Sequence, residues 1–231
     1  MTKKVESKKE WKTTTTRFVA FLDILGFKEL VLKNSHKFIH DKLHTLVFNM
    51  NHFDLLSKMK PIKDLKIQND QTRSVTFSDS FMFFSESNTL EDAAKIIMDT
   101  YVMMMFAHDQ LIPIKGSISY GEITVDFKNS LFFGQPIIDS YLLHDDLHML
   151  TSILDHHAEN RLKEIGKQEL FDKFITSYKA NMKSGKVTHK LMRPYPDSLV
   201  DRIKNTEKFY GTVSGKPRIY IDNTIEFYNQ L

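Results

Sequence analysis

The chain has 231 residues, 41% of them hydrophobic and 26% charged, with a formal net charge of +3 and a pI near 8.8. That balance describes a globular chain with a real core, and the slight positive charge suits an anionic small ligand while being too small to argue for nucleic acid. The absence of cysteine excludes disulfides and thiolate metal sites, and no apolar run is long enough to cross a membrane, so a cytoplasmic protein without a membrane or nucleic-acid partner is expected.

Residues 1–12 are charged, lack the apolar stretch of a signal peptide and read as a flexible arm. Thr13 to Leu22 reads as the first strand: four threonines favour extended structure and an apolar run follows. Asp23 stands at the strand end, Gly26 permits a tight turn, and Phe27 opens a helix that Asn34-Ser35 divides and Pro61 terminates after about Met59. Residues 65–70 read as a connecting strand or loop. Ser74 to Ser85 reads as a hairpin with Ser78-Asp79-Ser80 at its turn. A helix capped by Asn88 or Thr89 runs to about His108, and Pro113 to Val125 alternates like a strand whose glycines mark a bulge or a close backbone approach. A short apolar strand at 131–133, a helix over 137–144 with Pro136 near its start, and a strand within 150–154 come next. Helices are expected near 156–164, 167–182, 198–206 and 224–231, and strands at 189–192 and 218–221. With no internal repeat, low-complexity segment or linker, residues 13–231 read as one α+β domain, its last part (150–231) an extension of the same unit.

The chemistry gathers on two aspartates. Asp23 follows an apolar strand and precedes a helix start, where a carboxylate can ligate a cation while the backbone N–H groups of Gly26, Phe27 and Lys28 face an anion. Asp79 sits at the hairpin turn, and if the hairpin neighbours the first strand the two carboxylates meet at one edge. Two close carboxylates repel unless cations lie between them. Such an oxygen pair suits two Mg²⁺ or Mn²⁺ ions held partly by substrate phosphates, the arrangement that activates an attacking oxygen and stabilises a departing phosphate. Lys115 and Arg73 are candidates to neutralise phosphate charge, although a basic residue on a strand is more often simply exposed. Tyr141 is a candidate contact to a base or a partner subunit, although a helix aromatic is more often core.

Four motifs in order, Phe21-Leu-Asp23-Ile-Leu-Gly26-Phe27, Phe77-Ser-Asp79-Ser80, Ile114-Lys-Gly-Ser-Ile-Ser-Tyr-Gly121-Glu122 and Phe132-Phe-Gly134-Gln-Pro-Ile-Ile-Asp139-Ser-Tyr141, resemble those of the class III nucleotidyl cyclases over roughly residues 13–148. The resemblance implies a ferredoxin-like antiparallel sheet with flanking helices, a head-to-tail homodimer, and two metal ions on Asp23, Asp79 and the backbone carbonyl of Ile24. In purine cyclases a Lys and an Asp read the base, and an Asn and an Arg serve the ribose and the transition state. Here those places hold Val75, Leu131, Ile138 and Leu142. The Phe-Ser-Asp-Ser hairpin, the Lys-Gly-Ser-Ile-Ser-Tyr-Gly strand and the Asp-Ser-Tyr helix are similar to the pyrimidine cyclases of bacterial anti-phage (Pycsar) defence. That branch implies a CTP or UTP substrate, a cyclic CMP or UMP product and a separate effector. A catalytically silent cyclase-like domain is the alternative.

Other motifs are weaker. Leu154-Asp-His-His-Ala158 lacks the upstream aspartate motifs of the phosphoesterases it resembles, and His144-Asp-Asp146 reads as a helix face. There is no P-loop, no His-Glu-x-x-His and no Gly-x-Ser-x-Gly.

Overall fold

A computed structural model describes residues 11–52, 65, 67, 71–194, 199–211, 215 and 217–231, without the side chains of 48–52. Most of the N-terminal arm, the end expected for the second helix near Met59, and most of the segment expected over 65–70 lie outside the described residues.

The threonine run and the apolar residues after it form β1 (Thr14–Ile24), buried continuously from Arg17 to Leu22. A strand apolar on both faces must be covered on both, and β1 lies inside the sheet, with β3 on one side and β4 on the other. Asp23 is the first residue after that run to be partly exposed. Gly26 then turns the chain with φ +75°, a value costly for any residue with a Cβ. It leads into α1 (Phe27–Lys33), and Asn34 separates α1 from α2 (His36–His52).

The hairpin is β2 (Thr72–Phe77) and β3 (Ser80–Ser85), joined by Ser78 and Asp79 as expected. Thr89 begins α3 (Leu90–Asp109) with a reciprocal capping box: its hydroxyl accepts from the Asp92 N–H while the Asp92 carboxylate accepts from the Thr89 N–H. The long strand β4 (Ile114–Asp126) runs antiparallel to β1 over its full length. Gly116 makes that approach possible, since a Cβ there would lie 2.5 Å from the Phe21 carbonyl oxygen and 2.9 Å from Leu22 Cγ. β5 (Leu131–Phe133) folds back on β4, and α4 (Gln135–Asp146) follows.

The rest of the chain widens the same sheet. β6 (Ser152–Leu154) is parallel to β4. After α5 (His156–Ile165) and the short α6 (Gln168–Phe171) come β7 (Ile175–Met182) and β8 (Gly185–Met192), then α7 (Leu199–Glu207), a 3₁₀ turn and α8 (Arg218–Tyr228). The strand order is β2-β3-β1-β4-β6-β8-β7, with β5 beside β4. On one face Phe18, Ala20, Leu22 and Ile24 pack with Phe81, Phe83 and α3. On the other, Val19 joins Phe84, Ile123 and Val125, and α4 covers β1 and β4.

Two expectations fail in the C-terminal third. The helix expected over 167–182 is helical only at α6, and Ile175–Met182 is a strand paired along its whole length with β8. Its Ile-Thr-Ser-Tyr start favours extended structure, and the turn at Lys183-Ser184 makes it half of a hairpin. The strand expected at Arg218–Ile221 is the first turn of α8. Pro217 suits a helix start, and Ile221, Thr224, Phe227 and Tyr228 recur at helical spacing on the buried face. None of the described helices is long and apolar enough to cross a membrane.

One cluster built on the buried Arg202 and Thr206 ties α3 to α7. Arg202 donates to His108 Nδ1 at 3.1 Å and to Asp109 at 2.6 Å, and His108 Nε2 lies 2.9 Å from the Thr206 hydroxyl. Because a guanidinium only donates, His108 Nδ1 accepts and Nε2 carries the proton. Burial, reinforced by the Arg202 charge, lowers the His108 pKa from 6.5 to about 4. Between those values the unfolded chain takes up a proton that the folded chain refuses, so stability falls as pH drops through that window. Urea titrations at pH 7 and pH 4.5 are expected to show the wild type losing on the order of 2–3 kcal/mol more than His108→Gln. Equal losses in the two proteins would mean that His108 titrates normally.

Candidate active site

β1 leaves the core at Asp23, whose side chain is 24% exposed. The backbone just beyond is clamped on both sides: the Ile24 N–H donates to the Asp79 carbonyl at 3.1 Å, and the Leu25 N–H donates to the Pro113 carbonyl at 2.7 Å. The hairpin turn that makes the first of these bonds is closed by Ser78 with φ +57°. Asp23 and Ser80 are cross-strand partners, and the Ser80 hydroxyl donates to Asp23 Oδ1 at 2.9 Å. Asp79 precedes Ser80 directly, so the two aspartates that lie 56 positions apart in sequence stand at one end of neighbouring strands.

On its other side Asp23 is paired with Lys115 of β4. The Lys115 side chain does not turn toward solvent: the residue is 4% exposed, and its ammonium donates to the carbonyls of His144 at 2.8 Å and Leu147 at 3.0 Å, with that of Asp145 at 3.4 Å. These are carbonyls at the C-terminal end of α4, where a cation complements the helix dipole. Burial lowers the Lys115 pKa to about 8, against the opposing pull of Asp145 and Asp23.

Lys115 thus locks the C-terminus of α4 beside Asp23. That helix buries Pro136, Ser140 and His144. The His144 ring lies 4.9 Å from the Phe21 ring, with Nδ1 3.1 Å from the Tyr141 carbonyl and Nε2 3.7 Å from Asp23 Oδ2. Tyr141 meets Phe21 edge-on at 5.8 Å while remaining 53% exposed. Ile138 and Leu142 are 54% and 58% exposed on the outer side of the same helix.

The structure therefore gathers Asp23, Ile24, Asp79 and Lys115, with Gly26, Phe27 and Lys28 at the start of α1 and Tyr141 above Phe21. It does not bring Arg73 to them. Arg73 pairs with Phe84 on β3, four residues and about 13 Å along the sheet from the level of Asp23. Its guanidinium stacks 4.5 Å from the Trp11 ring centroid and 5.5 Å from that of Phe127. His144 is the neighbour of Asp23 that sequence reasoning passed over as a helix face. The signal was its place four residues after Ser140 and eight after Pro136, on the buried stripe. Asp155 proves to be the N-cap of α5, accepting from the Ala158 N–H at 2.7 Å, with the rings of His156 and His157 against one another at 3.8 Å.

The Asp23 carboxylate, with the Ser80 hydroxyl on its Oδ1, offers hard oxygen at an open strand end, and Asp79 stands in the adjoining turn. Among the described residues no three His, Cys, Asp or Glu side chains converge to cage an ion. Few protein ligands, with places left for water and substrate phosphate, fit Mg²⁺ or Mn²⁺ better than an enclosed structural metal.

No protein-family model and no curated protein matches the chain. Solved structures do. The catalytic core of a rhodopsin-guanylyl cyclase with converted specificity, in complex with ATPαS, aligns over 80% of this chain and 99% of its own, with a TM-score of 0.56 and 10% identity. The monomeric guanylyl cyclase domain of the RhoGC fusion protein from the aquatic fungus Blastocladiella emersonii also aligns over 80% of this chain and 99% of its own, with a TM-score of 0.50 and 12% identity. The near-complete coverage of those domains shows one architecture: this chain has the fold of class III nucleotidyl cyclase catalytic domains.

Proposed function

We propose that this chain is a nucleotidyl cyclase that converts a pyrimidine nucleoside triphosphate, CTP or UTP, into its 3′,5′-cyclic monophosphate and pyrophosphate. The product would serve as a second messenger to a separate effector in anti-phage defence, made in the cytoplasm by residues 13–231 acting as one domain. The observation that carries the reading is the placement of Asp79 against the end of β1, where Ile24 and Asp79 share a backbone hydrogen bond beside Asp23, on a cyclase fold.

Two Mn²⁺ or Mg²⁺ ions on Asp23, Asp79 and the Ile24 carbonyl would supply Lewis-acid stabilisation of the attacking and leaving oxygens. The chain's own residues do the positioning. Ser80 holds one oxygen of Asp23 and so orients the other. Gly26, Phe27 and Lys28 present the start of α1 to the triphosphate. Phe21 and Tyr141 form an aromatic wall beside the carboxylate against which a base can pack. Apolar residues at 75, 131, 138 and 142, where purine cyclases have polar ones, favour a pyrimidine.

A homodimer fits the surface. Cross-strand register puts Phe77 on the sheet face of Asp23 and Ser80. Phe77 is 78% exposed, and Ile138, Tyr141 and Leu142 are exposed on the helix covering that face. A second copy would bury this apolar area and complete two equivalent sites.

A specific observation favours the silent alternative: the Lys115 ammonium is committed to carbonyls and Arg73 to aromatic rings, so neither faces the phosphate region. One assay separates the readings. Purified protein with Mn²⁺ is incubated with each of the four ribonucleoside triphosphates, and the products are resolved by chromatography and mass. Cyclic CMP or cyclic UMP with pyrophosphate is expected. Turnover of ATP or GTP alone would remove the pyrimidine assignment, and no product from any of the four would leave the silent module.

A further inference from the structure

The geometry points to His144 as a nitrogen ligand of the cation held by Asp23, an addition that makes the site prefer Mn²⁺ to Mg²⁺. This rests on the proposed metal role of Asp23.

The hydrogen bonding of the ring leads to it. His144 Nδ1 lies 3.1 Å from the Tyr141 carbonyl oxygen. A carbonyl only accepts, so Nδ1 carries a hydrogen, and in the neutral ring Nε2 is then the nitrogen with the lone pair. Nε2 faces Asp23 Oδ2 at 3.7 Å. That gap is too wide for a hydrogen bond, and the Nε2 lone pair of the neutral ring is available to a cation held by the neighbouring carboxylate. Two coordination bonds of about 2.1 Å each reach across up to about 4.2 Å, so one cation can touch both atoms. Oδ2 is also the oxygen left over, because Oδ1 is taken by the Ser80 hydroxyl.

The surroundings hold this pair in place. A histidine whose second nitrogen donates to a backbone carbonyl has the orientation that metal-ligating histidines adopt. The His144 side chain is only 7% exposed and packs on Phe21, so the ring has little freedom to turn away. Lys115 fixes the backbone of the same residue through its carbonyl. One carboxylate and one imidazole leave coordination positions for water and for substrate oxygens, and among the described residues no third His, Cys, Asp or Glu side chain converges on the pair. An imidazole nitrogen is a poor ligand for Mg²⁺, which demands oxygen, and a better one for a first-row transition ion.

The test reads the ligand directly and without turnover. Untagged full-length protein is loaded with Mn²⁺ in the absence of nucleotide and examined by electron spin-echo envelope modulation. A directly bonded ¹⁴N is expected in the wild type, changing to ¹⁵N on histidine labelling and absent from His144→Phe. The Phe variant keeps the packing on Phe21 and is expected to bind Mn²⁺ roughly tenfold more weakly, with Mg²⁺ binding altered less. His144→Gln, which has no ring nitrogen, gives the same loss of coupling if the Phe variant does not fold. The inference is overturned if the wild type shows no nitrogen coupling, if the coupling persists in both variants, or if no Mn²⁺ binds. It fails separately from the cyclase reading: a protein that shows the coupling but cyclises no triphosphate keeps the ligand and loses the activity, and one that cyclises without the coupling does the reverse.

Discussion

Replacing Asp23 by Ala is expected to abolish cyclisation while leaving the protein folded. The carboxylate stands at the end of a buried strand with its side chain partly open to solvent, and its hydrogen bond is to the single hydroxyl of Ser80. Losing that bond removes about 1 kcal/mol, which in a protein of this size moves the melting temperature by no more than a few degrees. The effect on the reaction is of another order. On the proposed mechanism a cation anchored by Asp23 would stabilise the transferring phosphoryl group, and without that anchor a contribution of several kcal/mol would disappear from the transition state. A fall in kcat of at least about 10³-fold, equivalent to about 4 kcal/mol, is expected, alongside an unchanged circular dichroism spectrum. Cyclisation that survives Asp23→Ala would remove the two-carboxylate mechanism, whatever the substrate. The same measurement on Asp79→Ala tests whether the hairpin aspartate shares the role.

Replacing Lys115 by Met is expected to act in the opposite sequence, on the fold first and on the activity through it. The sequence marks this lysine as a partner for phosphate, but the structure gives its ammonium to the end of α4. Met fills similar volume and removes every donor. Two carbonyls then lose charge-assisted bonds worth about 1.5–3 kcal/mol each, in a place where the side chain is 4% exposed and water has little access. A loss of about 3–6 kcal/mol in a urea titration is expected, together with a loss of activity as His144 and Tyr141 drift from Asp23. If Lys115→Met keeps its stability and still loses kcat, then Lys115 touches the substrate, as its strand position first implied. If stability and activity fall together, it is a positioning residue.

Some features were legible because they depend on neighbours in sequence. The β1-turn-α1 junction follows from an apolar run, an aspartate and a glycine with φ +75° within ten residues. The hairpin around Ser78-Asp79, the capped helix after Thr89 and the close approach at Gly116 are of the same kind. The failures fall where two local preferences are evenly matched. Ile175–Met182 is a strand because β8 is there to pair with it, and Arg218–Tyr228 is a helix because one face packs against the core. Neither partner is visible in the segment itself.

The Asp23 site divides along the same line. Sequence alone determined that one aspartate would end an apolar strand and another would stand at a hairpin turn, because strand ends, turns and helix starts are written in short-range residue patterns. It also placed apolar residues at positions 75, 131, 138 and 142. Only the tertiary structure decided which groups face Asp23. The direction of a side chain depends on the element packed above it. α4 turns a histidine inward to within 3.7 Å of the carboxylate, draws the Lys115 amine into its own C-terminus, and leaves Arg73 to stack on aromatic rings elsewhere on the sheet. A lysine needs acceptors and a buried ring needs a fixed wall. Residues distant in the chain supplied both, through a long-range packing of helix on sheet that no local pattern records.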